Sequence, residues 1–347
     1  DRHKPINKMT IRDKRQKEFA DVWMNHGKFG ILHLCPRFGK IRTTIHILNH
    51  FDEPNILIAY PDNKIKQSWI DEFELMDYQN DNVTYTTHRS LSKHIDSWDI
   101  VIIDEIHLLS PAQRKTCDEL FALNDRVLGL TGTLSKWTRR DLRMELGIEV
   151  IADYSIHKAI EEEVITDYQI TVVKVPLDNV EIQQYTKKNI RKTELQQFKF
   201  LSGMINKMMY TGANTMFHRL ARMRIIQNSV AKLNMTKTIL RENPTERILV
   251  FCGITRIADD LGISSYHSKS KDKDSLKRFA EGEGNHMAVV KIGNTGVTYK
   301  PLNKVIINYF DSNAENLAQK INRCMAMEYD TPDKKSQIYI ISVQILL

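Results

Sequence analysis

Cysteine is scarce in this chain. Four occur in 347 residues, Cys35, Cys117, Cys252 and Cys324, and no two stand at the paired spacing of a metal site. That excludes a thiolate zinc scaffold and a disulfide framework, and a reduced, cytoplasmic protein is expected. No apolar run approaches the roughly 20 residues that a membrane span needs. The opening, DRHKPINKMT, lacks the apolar core of a secretory leader, and the missing initiator Met suggests a trimmed start. His33, His46, His50, His88 and His94 fall at no ligand spacing, and neither a short repeat nor a low-complexity tract is present. What remains is a folded composition, 41% hydrophobic and 27% charged, long enough for two domains.

Acid is missing from one place in particular. Fifty Lys and Arg against 43 Asp and Glu give a net charge of +7. Between Lys187 and Arg224 lie Lys188, Arg191, Lys192, Lys199, Lys207, Arg219 and Arg222, with Glu194 as the only acid. Such a segment suits a polyanion, or else forms a solvated helix face. Phe198, Phe200, Tyr210 and Phe217 interleave with these cations, as platforms for unpaired bases would. With Met204, Met208, Met209 and Met223 they also suit the buried stripe of a helix pair, which is the preferred expectation. Trp137 in SKWTRR faces the same choice.

Along the chain, continuous apolar runs (GKFGILHLC, NILIAYP, NVTYTT, WDIVIIDE, RVLGLTGT) alternate with helical patterns (IRTTIHILNHF, IKQSWIDEFELM). This is the signature of a parallel sheet covered on both faces, where ligands gather at the carboxyl ends of the strands. A second set of strands, YQITVVKVPL, RILVFCG, HMAVVKI, KVIINY and QIYIISV, follows the helix-like connector HKAIEEEVITDY. The expected fold is α/β, with domains at 1–152 and 153–347 and a basic helical insertion in the second at about 181–243.

Three short stretches converge on one edge of the first sheet. In LCPRFGKIRTT, Gly39 and Lys40 at the start of a helix offer amides and an ammonium to phosphates. In VIIDEIHLLS, Asp104 is placed to hold Mg²⁺, through water, and Glu105 to orient and deprotonate the attacking water. LTGT follows the fifth strand.

With DEIH as its acidic motif, the chain resembles the superfamily 2 DExH helicases and DNA translocases over nearly its whole length. The resemblance implies two tandem RecA-like domains, ATP and Mg²⁺ as cofactors, and ATP hydrolysis. Gln16 in RDKRQKEF matches the adenine-reading glutamine, and Pro36, Arg37, Phe38, Gly39, Lys40, Ile41 and Arg42 match the phosphate loop. His107, Thr131 and Thr133 match residues that couple hydrolysis to domain movement. ILVFCGITR resembles the fourth motif, KIGNTGVTYKP the fifth and QKINRCMAMEYD the sixth, whose Gln319 and Arg323 reach ATP from the second domain. By the same resemblance the nucleic-acid contacts are Asn63, Lys64, Thr87, His88, Gly253, Thr255, Arg256, Asn294 and Thr295.

Among these motors the chain is most similar to branch-migration helicases of phages. That implies a monomer acting on forked, branched or duplex DNA in replication, recombination or repair. The alternatives are an RNA helicase and a hydrolysis-impaired, ATP-gated clamp on nucleic acid. Two departures bear on the choice. Ile41 stands where the family has the Mg²⁺-binding Ser or Thr, and Ala326 where it has a second arginine. An arginine finger is worth about 10³ to 10⁵ in rate. Both departures act on hydrolysis rather than on nucleotide binding.

Overall fold

The computed structural model describes residues 10–179, 183–184, 191–290, 302, 304–309, 317, 320–321 and 335–345. Backbone contacts divide the chain between Thr166 and Asp167.

The first unit opens on α1 (Ile11–Asn25), started by a reciprocal cap in which Thr10 and Asp13 each accept the other's backbone N–H. Then follow β1 (Phe29–Leu34), α2 (Lys40–Leu48), β2 (Ile56–Tyr60), α3 (Lys64–Leu75), β3 (Val83–Thr87) and β4 (Ile100–Asp104). After them come α4 (Pro111–Phe121), β5 (Val127–Thr131), α5 (Lys136–Leu146), β6 (Val150–Tyr154) and α6 (Ile156–Glu161). The sheet has six strands in the order β3-β2-β4-β5-β1-β6, every pair parallel. Strands β2, β4 and β5 are buried at each position, so they carry unbroken apolar runs instead of alternation.

The expected boundary at 152/153 would cut β6, which pairs with β1 through Tyr154. Helix α6 also belongs to the first unit. Strand β6 escapes a sequence reading because it is only half buried and lacks a continuous apolar run.

The second unit holds β7 (Tyr168–Pro176), a two-stranded antiparallel ladder of β8 (Gln183–Gln184) and β9 (Arg191–Lys192), and the helices α7 (Glu194–Tyr210), α8 (Met216–Gln227) and α9 (Val230–Glu242). It continues with β10 (Ile248–Cys252), α10 (Thr255–Asp260), β11 (Ser264–Tyr266), α11 (Ser275–Glu281), β12 (His286–Val290), β13 (Lys304–Ile307) and β14 (Ser336–Gln344). Its sheet, again of six parallel strands, runs β11-β12-β10-β13-β14-β7.

The basic insertion therefore does not begin as helix at 181. A capping box of Thr193 with Gln196 sets the helical start at Glu194. The segment's only acid turns inward. Glu194 is buried, and its carboxylate accepts from Ser229 Oγ and from Val230 N–H, each at 2.8 Å, latching the start of α7 to the start of α9. The exposed charged side chains of α7 and α8 are then all cations.

Candidate functional site

Five strand ends meet on the carboxyl edge of the first sheet, and each delivers part of the site. From β1 the chain passes through Arg37, at φ +68°, and Gly39, at φ +99°, directly into α2. Gly39 fits that left-handed turn because any Cβ there would run into the Gln16 amide. Thr43 N–H is the first in α2 to bond back, to the Gly39 carbonyl. The amides ahead of it in the first turn point outward with the positive end of the helix dipole, a cradle for an anion.

Phe38 is buried edge-on against Tyr154, ring centroids 4.9 Å apart, and anchors the loop instead of facing a ligand. Gln16 is 0% exposed, and its Nε2 donates to the Phe38 carbonyl at 2.8 Å. Its Oε1 is buried with no hydrogen-bond partner. An acceptor left so costs about 1 to 3 kcal/mol, and the exocyclic amine of adenine is a donor of the kind it lacks. Ile41 is half-buried at the second position of α2. The hydroxyls of Thr43 and Thr44 are buried and donate to the carbonyls of Gly39 and Lys40, so neither replaces the hydroxyl that Ile41 lacks. Arg42 pairs with Glu72 of α3. Pro36 packs beside Gly132, where an added Cβ would lie 3.3 Å from its ring.

At the end of β4, Asp104 is buried and Glu105 sits in a left-handed turn at φ +50°. Lys40 Nζ pairs with Glu105 Oε1. Burial works against the charge on Lys40, but the carboxylates of Glu105 and Asp104 outweigh it and hold the ammonium above its usual range. Burial also opposes the charge on Glu105, yet Lys40, His107 and the Gly132 N–H keep its carboxyl below the ordinary value. Asp104 goes the other way. Burial, with the Glu105 charge beside it, pushes it up to about 6 against the pull of Lys40. Two adjacent carboxyls are thus shifted in opposite directions, Glu105 below and Asp104 above the usual range.

His107 joins this pair to the loop after β5. Thr131 Oγ1 donates to the Thr133 carbonyl at 2.7 Å and lies 2.8 Å from His107 Nδ1. The hydroxyl has a single proton, so Nδ1–H must be the donor to it. The other ring nitrogen of His107, Nε2, lies 3.3 Å from the Thr133 hydroxyl. Lys40, Glu105, His107, Thr131 and Thr133 thus line up across three strand ends, with His107 Nδ1 3.4 Å from Glu105 Oε2.

The structure fits Mg²⁺ and a nucleotide phosphate in donor chemistry: a hard carboxylate, an ammonium and unpaired amides on one edge. Among the described residues no group of three or more His, Cys, Asp or Glu could hold a metal by itself.

The expected nucleic-acid contacts divide. Asn63 is exposed at the start of α3, and the side chain of Lys64 lies outside the described residues. Thr87 is half-buried, its hydroxyl donating to Ser90 Oγ at 3.3 Å. His88 is corrected by its surroundings. It is buried, its Nε2 lies 2.9 Å from the Asp104 carbonyl, and burial pushes its pKa down to about 4. It is thus a neutral brace for the backbone of Asp104, whereas its neighbour Arg89 is exposed.

In the second unit, Gly253 is half-buried under the ring of Tyr309, which an added Cβ would meet at 2.7 Å. Thr255 is half-buried and Arg256 exposed. Asn294, Thr295, Gln319, Arg323 and Ala326 lie outside the described residues.

The favoured buried stripe in the insertion holds only for its inner side. Phe198, Leu201 and Ile225 form a small core with Leu177. Tyr210 is 92% exposed and Phe217 74%, with Phe200, Met209, Met216 and Met223 also exposed. Trp137 is 70% exposed, with the Arg140 guanidinium 5.0 Å from its ring centroid. Sequence reasoning passed over Trp69, which donates from Nε1 to Asp104 Oδ2 at 3.2 Å. A Trp inside an amphipathic helix reads as core, and nothing local announces its polar partner.

No protein-family model matches the chain, and no curated protein does. Among solved structures, the helicase domain of Hef from Pyrococcus furiosus is similar over 97% of this chain and 97% of its own, with a TM-score of 0.56 and 14% identity. At that identity the likeness is one of fold, that of tandem RecA-like α/β domains.

Proposed function

We propose that this chain is an ATP-dependent motor of the DExH type that moves on DNA and remodels forks or branch points. The observation that carries the reading is the Lys40–Glu105 ion pair at a sheet edge that also brings His107 and Thr131 together, in a fold shared with a helicase domain. The proposed roles follow from these positions. Lys40, paired with Glu105 in this state, exchanges that carboxylate for nucleotide phosphates and so frees Glu105 to accept a proton from water. Any change at Glu105 reaches His107 and through it the Thr131–Thr133 turn, which supplies a route from hydrolysis to movement. Asp104 would hold the Mg²⁺, which when bound neutralises charge developing on the transferred phosphoryl group. Gln319 and Arg323 are assigned to the nucleotide, and Asn294 and Thr295 to nucleic acid, on motif resemblance alone.

DNA as the track is supported by the acid-free outer surface of α7 and α8, with exposed Lys199, Lys207, Arg219 and Arg224 beside exposed aromatics. A second reading, an ATP-gated clamp that binds without cycling, is favoured by Ile41 and by the occupied hydroxyls of Thr43 and Thr44.

The test compares ATP turnover without nucleic acid and with forked DNA, single-stranded DNA and RNA. Greatest stimulation by forked DNA supports the motor. Preference for RNA selects an RNA helicase, and ATP-dependent binding without turnover selects the clamp.

A further inference from the structure

Asp104 is oriented by two hydrogen bonds, one on each oxygen. Oδ1 accepts from the Glu105 backbone N–H at 2.9 Å, a bond local to the turn. Oδ2 accepts from Trp69 Nε1 at 3.2 Å, a bond that arrives from α3, across 35 positions of sequence. Trp69 is 0% exposed and packs edge-on against Phe73 at 5.8 Å, so the indole has little room to turn away. One turn along the same helix, Glu72 pairs with Arg42 of α2, the helix that the phosphate loop opens. A single helix thus grips the acidic strand end and the phosphate-loop helix, through residues three apart on one face.

We propose that Trp69 is a positioning residue for the metal carboxylate: its indole N–H fixes the rotamer of Asp104, so the oxygen lone pairs that remain meet the cation without reorganisation. The proposal rests on the reading of Asp104 as the Mg²⁺ carboxylate. A purely apolar role for Trp69 would require only its ring. The positioning role requires the N–H, because partners of this kind set the orientation of a metal ligand, and losing one typically weakens metal binding by about 10- to 100-fold.

Trp69→Phe keeps an aromatic ring beside Phe73 and removes the N–H. Mn²⁺ is titrated into the native chain and the variant, each saturated with ADP, and free Mn²⁺ is read by electron paramagnetic resonance. The expected result is Mn²⁺ affinity weaker by about tenfold in the variant, with metal-free ADP affinity unchanged. Equal Mn²⁺ affinity in the two proteins overturns the proposal.

A second measurement does not depend on the variant folding. Of the four tryptophan indole N–H resonances of the native chain, one should move when Mg²⁺ is added to the ADP-loaded protein. The same resonance should be displaced by Asp104→Asn. If none of the four responds to Mg²⁺, the proposal fails. If the native chain takes up ADP but no Mn²⁺ or Mg²⁺, the assignment of Asp104 as metal carboxylate falls and this role with it. If it binds no nucleotide at all, the nucleotide reading is what has failed.

Discussion

At the scale of single residues, the site is a set of buried charges that compensate one another. Lys40, Glu105 and Asp104 are tolerable in a low-dielectric strand end only because each lies in the field of an opposite charge. Ile41 is the residue out of keeping with that set. Ile41→Thr would place a hydroxyl at the first turn of α2 without touching Lys40 or the loop amides. Turnover should rise by about tenfold or more, the reach of one added transition-state interaction, while nucleotide affinity stays level. Parallel steady-state kinetics and equilibrium nucleotide titrations check this, and an unchanged rate would mean that the missing hydroxyl does not limit hydrolysis.

His88 gives a prediction about stability. Its pKa is about 4 in the fold, because burial disfavours the charged ring, against an ordinary 6.5. Above 6.5 both folded and unfolded chains hold it neutral. Between 6.5 and 4 only the unfolded chain takes up the proton, so stability falls as pH falls through that window, by up to about 3 kcal/mol. His88→Gln keeps a donor for the Asp104 carbonyl and cannot titrate. Urea unfolding of the two proteins across this window should show a flatter pH dependence in the variant. Parallel curves would remove His88 as the cause.

At the scale of elements, the α7–α8 hairpin shows how one pair of helices takes on two roles. Its inner side packs Phe198, Leu201 and Ile225, and Glu194 ties its base to α9. Its outer side exposes Tyr210 and Phe217, the kind of apolar exposure that marks a contact surface. Because these two rings bury little, Tyr210→Ala and Phe217→Ala should leave the melting temperature nearly unchanged. If bases stack on them, each change should weaken single-stranded or forked DNA binding by about 1 to 3 kcal/mol. Fluorescence anisotropy with labelled forks reads this directly, and native affinity in both variants would assign the rings elsewhere.

At the scale of the whole molecule, the surface carries its excess of positive charge where acids are absent, not as a uniform coat. A motor that must pass over any sequence grips phosphates. Affinity for DNA should therefore fall steeply with salt, the slope on a double-logarithmic plot changing by about 0.7 to 0.9 for each phosphate contact removed. It should vary little between sequences of equal length and shape. Binding curves at several salt concentrations, with native chain and with Lys199→Ala or Arg219→Ala, test this. A flat salt dependence or strong sequence preference would contradict a phosphate-gripping track.

The sequence by itself determined where the central strands of the first sheet lie along the chain, and that the Gly39-Lys40 and Asp104-Glu105 turns leave their ends. These features are local: an unbroken apolar run can only be a buried strand or helix, and Gly39-Lys40 or Asp104-Glu105 must follow where such a run ends. Tertiary structure decided everything that depends on which side chain meets which. Trp69 and Asp104 become partners only when β2 and β4 pair and α3 folds back over them. His88 reads as a contact residue in THRSL and is a buried brace once the turn after β3 reaches past β2 to the end of β4. Glu194 looks like one acid diluting a basic stretch and proves to be an internal cap, so the patch is more basic than its sequence. Periodicity tells which face of an element is apolar, but the buried partner of a polar group comes from another element, and only packing chooses it.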